Sequence, residues 1–524
     1  MAELVLGAVS LGVSVASLTL AFKGAVDSYL LIESFFDSHD DSGLRDLALS
    51  YHYECWRFEH WGDRNKILAQ DSKDSAWFHQ SDHVKALVAG LVQRVEQLLK
   101  EAKNYTEIHD AAPVLVSQKR HKSRFKWAIK NKAKFSTVVD RLQEHNSKLE
   151  ELLDRQTKSS FEATLPGYIL APISSAEDLK SLQTLAGPGN AQVAHAARLK
   201  SLELATPGTG PGADVDFLDV SDFSFNDATP PTHASPSPRA IGIHKKTQRV
   251  WVEWRIIEEG VSEAQAGALV DRVRTLSAML SADSATYLRT AQCIGVLEDP
   301  ENSLRLGLVF QPPVNYGMAQ PVSLLQIIEG TTLKPSEYMK EPPLGHKFAL
   351  ARALGSSIAL IHAASWLHKA FRSDNILFFG DPRKADTLLD CRISGFENSR
   401  EVTGESLGHR PTGSGPVDYF YHPDATEGFS KTMDLYSFGV VLLEIAYWRP
   451  LRSKIAKAKA LGSLEVIRKL FVTSAKDHLP AMMGSVYADV VTKCLECALP
   501  NSSDDELACA VSVEVISKLD QCRA

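Results

Sequence analysis

The chain lacks the cysteine pattern of a disulfide framework. Its 524 residues include seven cysteines, and an odd, dispersed set of this kind is typical of proteins from a reducing compartment. Cys494 and Cys497 form one CxxC pair inside a helical pattern, with no second pair and no neighbouring histidine. We interpret this pair as part of a packed helix face; a zinc or redox site is the alternative.

The chain also lacks a strong net charge. Its formal charge is -7, with 44% hydrophobic and 23% charged residues, which is ordinary for a soluble globular protein. This balance gives no indication of a nucleic-acid partner. The length is sufficient for two or three domains, each with a sizeable core.

A long uncharged run lies near the N-terminus. Leu4–Phe22 contains nineteen residues without a charge, between Glu3 and Lys23, and it has neither the basic start nor the cleavage site of a secretory signal. As a helix it would be about 28 Å long, close to the thickness of a bilayer core. Two interpretations stay open: the buried first helix of a bundle, or a helix that leaves the bundle and inserts into a membrane.

The residues that follow show helical periodicity with few glycines or prolines. Apolar residues recur at helical spacing, and no segment alternates as a strand. The pattern predicts an all-α helical bundle over residues 1–204. The predicted helices cover about 24–37, 42–66, 79–103 and 134–156.

A basic run precedes the last of these helices. Residues 119–134 carry eight lysines and arginines, no acid, and two interleaved aromatic residues. A solvated helix face and binding to anionic lipid headgroups, worth about 1 kcal/mol per basic residue, are the main interpretations. RNA binding is a third, but no RNA-binding motif accompanies the run. The candidate lipid-binding residues are Lys119, Arg120, Lys122, Arg124, Lys126, Lys130, Lys132 and Lys134.

Three features of this region carry a family resemblance. The apolar N-terminal helix, the CWRFEHWGDR stretch at Cys55–Arg64 and the spacing within Lys126–Leu142 resemble the fungal HeLo domain, also called the prion-inhibition and propagation domain. The resemblance covers residues 1 to about 200. It implies a cytoplasmic bundle that relocates to the membrane on activation and permeabilises it in programmed cell death. Its implied partners are anionic membrane lipids and further copies of the chain, without nucleic acid.

The composition changes between residues 205 and 239. Proline, glycine, serine, threonine and aspartate dominate, which predicts a flexible linker. Residues 214–225 keep some apolar side chains that are compatible with packing along a neighbouring domain. The glycine-rich stretch Gly208–Gly212 follows no strand and contains Pro211, so we reject it as a phosphate-binding loop.

The sequence LHKAFRSDNIL at Leu367–Leu377 resembles the catalytic loop of protein kinases. On that motif His368 matches the histidine, Lys369 replaces the arginine, and Asn375 matches the metal-holding asparagine. Ala370 falls where the catalytic aspartate belongs. A methyl group cannot accept a proton from a substrate hydroxyl, so the loop is kinase-like in shape and lacks the general base.

Other kinase parts are also degenerate. Phe396 matches the Phe of Asp-Phe-Gly, so Ser394 or Gly395 replaces the aspartate that holds Mg²⁺. Alternation predicts a strand over 249–257, followed by a helix over 263–280. On these elements Arg255 is the best match to the ATP-binding lysine, and Asp271 is the nearest acid. No GxGxxG motif lies between residues 242 and 250. We therefore expect no cofactor; Arg255 and Asn375 are vestigial nucleotide or metal positions.

The strongest kinase-like match is Ser430–Glu444, which resembles the Asp-x-Trp-Ser-x-Gly helix of the larger kinase lobe. It implies scaffold roles for Asp434 and Gly439. Residues 240–524 are therefore expected to form an α+β bilobal protein-kinase-like fold that acts as a pseudokinase.

The whole arrangement resembles the mixed-lineage kinase-like executioners of necroptosis, which implies an upstream receptor or kinase as a further partner. Two alternatives stay open. One is an active kinase that uses Asp374 or Asp390 from an unusual position and the bundle for targeting. The other is a soluble signalling scaffold.

Overall fold

In a computed structural model, the chain folds into two compact units, Met1–Leu165 and Pro166–Ala524. The predicted fold class is confirmed, because the first unit is helical and the second combines a mixed sheet with helices. The structure describes residues 15–36, 42–69, 75, 77, 80–107, 131–187, 189–204, 215, 217–225, 239–256, 262–299, 305–313, 321–401, 417–426, 428–452, 455 and 463–524.

The first unit is built from amphipathic helices. The helix α1 continues through Lys23, where the sequence suggested a break, and exposes that lysine while Phe22 and Ala25 on either side are buried. No helix among the described residues is both long enough and apolar enough to cross a membrane. The helices are α1 Val15–Phe36, α2 Ser42–Arg64, α3 Asp82–Glu107, α4 Lys132–Glu151 and α5 Arg155–Leu170, whose last residues belong to the second unit.

Close contacts pack α2 against α1 and against α4. The ring of Phe22 lies directly on Gly62, where a Cβ atom would overlap it. Beside this contact, the indole of Trp61 donates to the backbone oxygen of Leu149 across 3.1 Å. The packing depends on the absence of a side chain at position 62, since interiors of this density have no spare room.

The second unit begins with helices and continues into a sheet. Its N-terminal elements are α6 Ala176–Ala186, α7 Ala191–Glu203, β1 Phe217–Leu218, β2 Phe223–Phe225, β3 Arg239–His244, β4 Gln248–Ile256, α8 Glu263–Met279, α9 Ala282–Leu288, β5 Gln292–Glu298 and β6 Arg305–Gln311. Its C-terminal elements are β7 Val322–Ser323, α10 Leu324–Leu333, α11 Leu344–Ala363, β8 Trp366–Leu367, β9 Ile376–Phe378, β10 Arg392–Ile393, β11 Arg400–Glu401, α12 Lys431–Tyr447, α13 Leu464–Met483, α14 Ser485–Glu496, α15 Asp504–Ala510 and α16 Ser517–Gln521.

A six-stranded sheet runs in the order β1-β5-β6-β4-β3-β2, with β1 parallel to β5 and the other pairs antiparallel. Val250, Val252 and Trp254 of β4 lie on the face that carries an apolar cluster. Because side chains alternate along a strand, Trp251 and Glu253 point to the opposite face. That second face forms the cleft described below.

The predicted linker at 205–239 needs a correction. Its described part contains β1 and β2, so the sheet begins at Phe217 and not at residue 240. The physical reason is the apolar content of this stretch, since Leu218, Phe223 and Phe225 pack against the apolar cluster. Residues 205–214 and 226–238 lie outside the described residues.

The predicted bundle over 1–204 also differs from the observed division. The helices α6 and α7 belong to the second unit, where α7 packs against α8, α9 and α11. Helical periodicity indicates that a segment is helical, but it carries no information about which neighbours cover that helix.

Candidate functional site

Asp434 holds the loop that resembles a kinase catalytic loop. From the buried helix α12, its carboxylate accepts backbone N–H bonds from His368 at 2.7 Å and Lys369 at 2.8 Å. His362 Nε2 lies 3.2 Å from the same carboxylate. Burial is the main reason that the pKa of His368 falls to about 4. The loop is therefore fixed around a neutral imidazole, and the methyl group of Ala370, which the motif comparison aligns with the catalytic aspartate, is buried.

Glu253 faces the turn that stands in place of Asp-Phe-Gly. Its carboxylate accepts hydrogen bonds from the hydroxyl of Ser394 and from the backbone N–H groups of Gly395 at 3.0 Å and Phe396 at 3.3 Å. Arg255, which we predicted as the match to the ATP-binding lysine, instead lies near Lys369. It is among the cations that, after burial, lower the pKa of that lysine to about 8.

The guanidinium of Arg239 completes this network across the cleft. Its Nε donates to Glu253 at 3.1 Å, its Nη1 to the backbone oxygen of Asp374 at 3.0 Å, and its Nη2 to Oδ1 of Asn375 at 2.6 Å. We call Arg239, Glu253, Asn375 and Ser394 the cleft network. It joins two strands of the sheet to the loop on the helical side of the cleft.

The network leaves little room around Asn375. The amide of Asn375 donates to the backbone oxygen of Ala370 at 2.8 Å. Gly395 has a φ of 91°, a left-handed conformation in which a Cβ atom would overlap the Asn375 amide. Glycine is therefore required at this position by both the backbone conformation and the close approach.

The surroundings of Glu253 favour its ionised form, paired with the guanidinium of Arg239. Burial alone would raise the pKa of Glu253, but Arg239, the Ser394 hydroxyl and the Gly395 N–H together hold it below its ordinary value. Glu253 is 1% exposed and the Arg239 side chain 16% exposed. A buried carboxylate with this many donors is compensated only while its guanidinium partner stays in place.

Aromatic side chains fill the neighbouring part of the cleft. Trp251, on the same face of β4 as Glu253, stacks on Phe310 with 5.6 Å between ring centroids and lies 5.5 Å from Phe379. Phe310 lies on β6, opposite Trp251 in the pairing with β4. All three rings are buried, so this part of the cleft is apolar.

Asp374 and Asp390, the two acids of the active-kinase alternative, are both engaged in ion pairs. Asp374 pairs with Arg372 at 3.1 Å, and Asp390 pairs with Arg392 at 2.8 Å. Over the part of the chain that the structure describes, no group of three or more histidine, cysteine or acidic side chains is placed to hold a metal ion. Oδ1 of Asn375, the candidate metal ligand of the loop, accepts its hydrogen bond from Arg239.

Three other predicted sites are Gly439, the CxxC pair and the basic run. Gly439 of α12 packs against Cys494, whose Cβ atom would lie 2.9 Å from an added Cβ at position 439. Burial raises the pKa of Cys494 and brings that of Cys497 to about 11, so neither thiol is activated.

Of the basic run, residues 119–130 lie outside the described residues, while Lys132 and Lys134 begin α4 and are exposed.

Two family models match separate parts of the chain. Residues 10–114 and 105–185 match the model described as prion-inhibition and propagation. Residues 310–521 match a domain of unknown function, DUF7580. The N-terminal resemblance drawn from the sequence is confirmed at this level.

Curated relatives add a distant similarity to kinases. The chain is 27% identical over 205 residues to cysteine-rich receptor-like protein kinase 10 of Oryza sativa subsp. japonica, covering 36% of this chain and 30% of the relative. It is 23% identical over 159 residues to the probable serine/threonine-protein kinase kinY of Dictyostelium discoideum, covering 30% and 26%. The chain therefore spans less than a third of either relative.

The sequence did contain a signal for the residues that we missed. Val250-Trp-Val-Glu253 has the spacing of the Val-Ala-Ile-Lys motif of kinases, which carries the ATP-binding lysine at its fourth position. In that alignment Trp251 replaces the alanine and Glu253 replaces the lysine. We missed both because we searched for a basic residue, and Arg255 was the nearest one on the strand.

Proposed function

We propose that this protein is a regulated cell-death effector of the fungal incompatibility type, in which a helical bundle acts on membranes and a pseudokinase unit controls it. The match of residues 10–185 to the prion-inhibition and propagation family supports the first half of this proposal. In it, the protein is cytoplasmic at rest, relocates to anionic membranes and assembles with further copies when an upstream receptor or kinase acts.

The bond from Arg239 to Asn375 carries the second half. A kinase uses this asparagine oxygen for Mg²⁺, whereas here a guanidinium takes it at 2.6 Å. Glu253, at the position of the ATP-binding lysine, would repel the phosphates that the lysine attracts. Without the general base, the metal and the lysine, the largest electrostatic contributions to phosphoryl transfer are missing.

The helix α1 provides a direct test of the membrane half. Leu18 is 2% exposed and fills the bundle core, whereas Leu20 is 72% exposed and does not. A charge at position 20 therefore leaves the core intact, but it shortens the uncharged run to residues 4–19, about 24 Å as a helix and less than a bilayer core needs. Leu30, 53% exposed on the same helix, lies beyond the uncharged run and serves as the matched position.

The experiment is dye release from vesicles of anionic lipid by the activated full chain. We expect Leu20→Glu to abolish release and Leu30→Glu to leave most of it, with circular dichroism showing both variants folded. Release that is equal in all three proteins would contradict insertion of α1. An absence of release from the unaltered chain, with and without activation, would favour a scaffold that does not act on membranes.

A further inference from the structure

The helix α7 is buried on almost all sides. A helix that is covered all round packs between other elements and does not lie on a surface, and α7 packs between α6 on one side and α8, α9 and α11 on the other. Its buried residues are Val193, His195, Ala196, Ala197, Leu199, Lys200 and Leu202.

One contact of α7 reaches the sheet-bearing part of the second unit. The ring of His195 stacks on that of Tyr287 in α9, with 4.9 Å between centroids and 29° between the planes. The helices next to it, α8 and α9, both pack against β5. The position of α7 therefore depends on how α8 and α9 lie on the sheet.

A second contact of α7 reaches the end of α5. The ammonium of Lys200, 7% exposed, donates to the backbone oxygen of Leu170 across 2.7 Å. The last carbonyl groups of a helix lack partners within it, and a cation there also interacts favourably with the helix dipole.

The last turn of α5 has a particular need for this support. Pro166 lies inside the helix and cannot donate the backbone hydrogen bond of an interior position. Beyond it, Ala171 N donates to Gly167 O across 3.2 Å. The last part of α5 therefore has one backbone hydrogen bond fewer than a regular helix, and Lys200 supplies an additional bond at its end.

We propose that α7 is a coupling helix. The way in which it packs on α8 and α9 determines whether Lys200 stabilises the last turn of α5, the helix that continues into the bundle. This rests on the proposed function for its biological meaning, since it names the element through which the pseudokinase unit controls the bundle. The alternative is that α7 only fills space between its neighbours and transmits nothing.

Hydrogen exchange of the full chain, followed by mass spectrometry, distinguishes these alternatives. Tyr287→Ala removes the ring from α9 and leaves every residue of α5 and α7 unchanged. Tyr287→Phe keeps the ring and is the matched control. If α7 couples the two contacts, Tyr287→Ala accelerates exchange about tenfold in α7 and also in residues 167–171, while Tyr287→Phe changes neither. Acceleration in α7 alone would overturn the proposal.

A second pair of variants tests the Lys200 bond itself. Lys200→Met removes the donor and keeps an apolar stem, whereas Lys200→Arg keeps a cationic donor. We expect about tenfold faster exchange in residues 167–171 for the methionine variant and less for the arginine variant. Equal exchange in both variants and the unaltered chain would overturn the role of Lys200. These readouts need no membrane, so they remain valid if the dye-release experiment fails.

Discussion

Nη2 of Arg239 lies 2.6 Å from Oδ1 of Asn375 and donates a hydrogen bond to it. The two residues are 136 positions apart in the chain and come from opposite sides of the cleft. The same guanidinium pairs with Glu253. One guanidinium thus connects two strands of the sheet to the kinase-like loop.

Removing the cation from the cleft network should be costly. Arg239→Met leaves Glu253 buried without its ion-pair partner, so we expect the free energy of unfolding of the second unit to fall by about 3 kcal/mol or more. The double variant Arg239→Met with Glu253→Gln removes both charges and should recover part of that loss. Urea unfolding followed by circular dichroism measures both. Strictly additive losses would show that the two charges are not coupled.

The contact between Phe22 and Gly62 predicts a variant that loosens α1. Gly62→Ala places a methyl group into the Phe22 ring, which should destabilise the bundle by about 1–3 kcal/mol and increase dye release at rest. Gly90→Ala, in α3, is the matched control because nothing lies within 4 Å of its added Cβ. It should be neutral or slightly stabilising. Equal effects of the two substitutions would exclude a specific role for the Phe22 contact.

Buried His60 predicts a pH dependence. Burial first, and then the neighbouring Arg64, lower the pKa of His60 to about 3, whereas the unfolded chain titrates near 6.5. Below that value the unfolded state binds a proton that the folded state does not, so stability falls as the pH falls. Between pH 7 and 5 the loss is about 2 kcal/mol.

The matched variant for this test is His60→Gln, which carries no titrating group. Urea unfolding of both proteins at pH 7 and pH 5 should show the larger decrease in the unaltered chain. Parallel decreases would mean that His60 is not responsible, because other groups such as Glu444 titrate in both proteins alike.

The basic run predicts salt-sensitive lipid binding. Replacement of Lys122, Arg124, Lys126 and Lys130 by glutamine should weaken binding of the full chain to anionic vesicles. Added salt should weaken binding of the unaltered chain as well, since charges are screened over about 8 Å at physiological ionic strength. Co-sedimentation measures both. The control is the replacement of four exposed lysines of the second unit by glutamine. If neither the substitutions in the basic run nor added salt affects vesicle binding, the run is only a solvated helix face.

Local patterns in the sequence were sufficient to predict several elements of the fold. Alternation gave the strand at 249–257, observed as β4 Gln248–Ile256, and periodicity gave the helix at 263–280, observed as α8 Glu263–Met279. These patterns are local, so they are visible without knowledge of the partners. The Asp434 contact to the loop was also expected, because it came with the motif.

The cleft network was beyond such local patterns. Arg239 stood at the end of a stretch that read as linker, and its partners Glu253 and Asn375 lie 14 and 136 positions away. Pairing of β3 with β4 sets Arg239 opposite Glu253, and strand register is a property of two segments together. The docking of α7 on α8 was missed for the same reason.

The central claim is that the protein's own side chains occupy the site where a kinase binds nucleotide and metal. Calorimetric titration of the full chain with ATP and Mg²⁺ tests it most directly, with Asn375→Ala titrated in parallel and phosphate incorporation followed in the same samples. The account predicts no heat of binding and no incorporation in either protein. Mg²⁺-dependent binding or phosphate transfer that Asn375→Ala abolishes would contradict it.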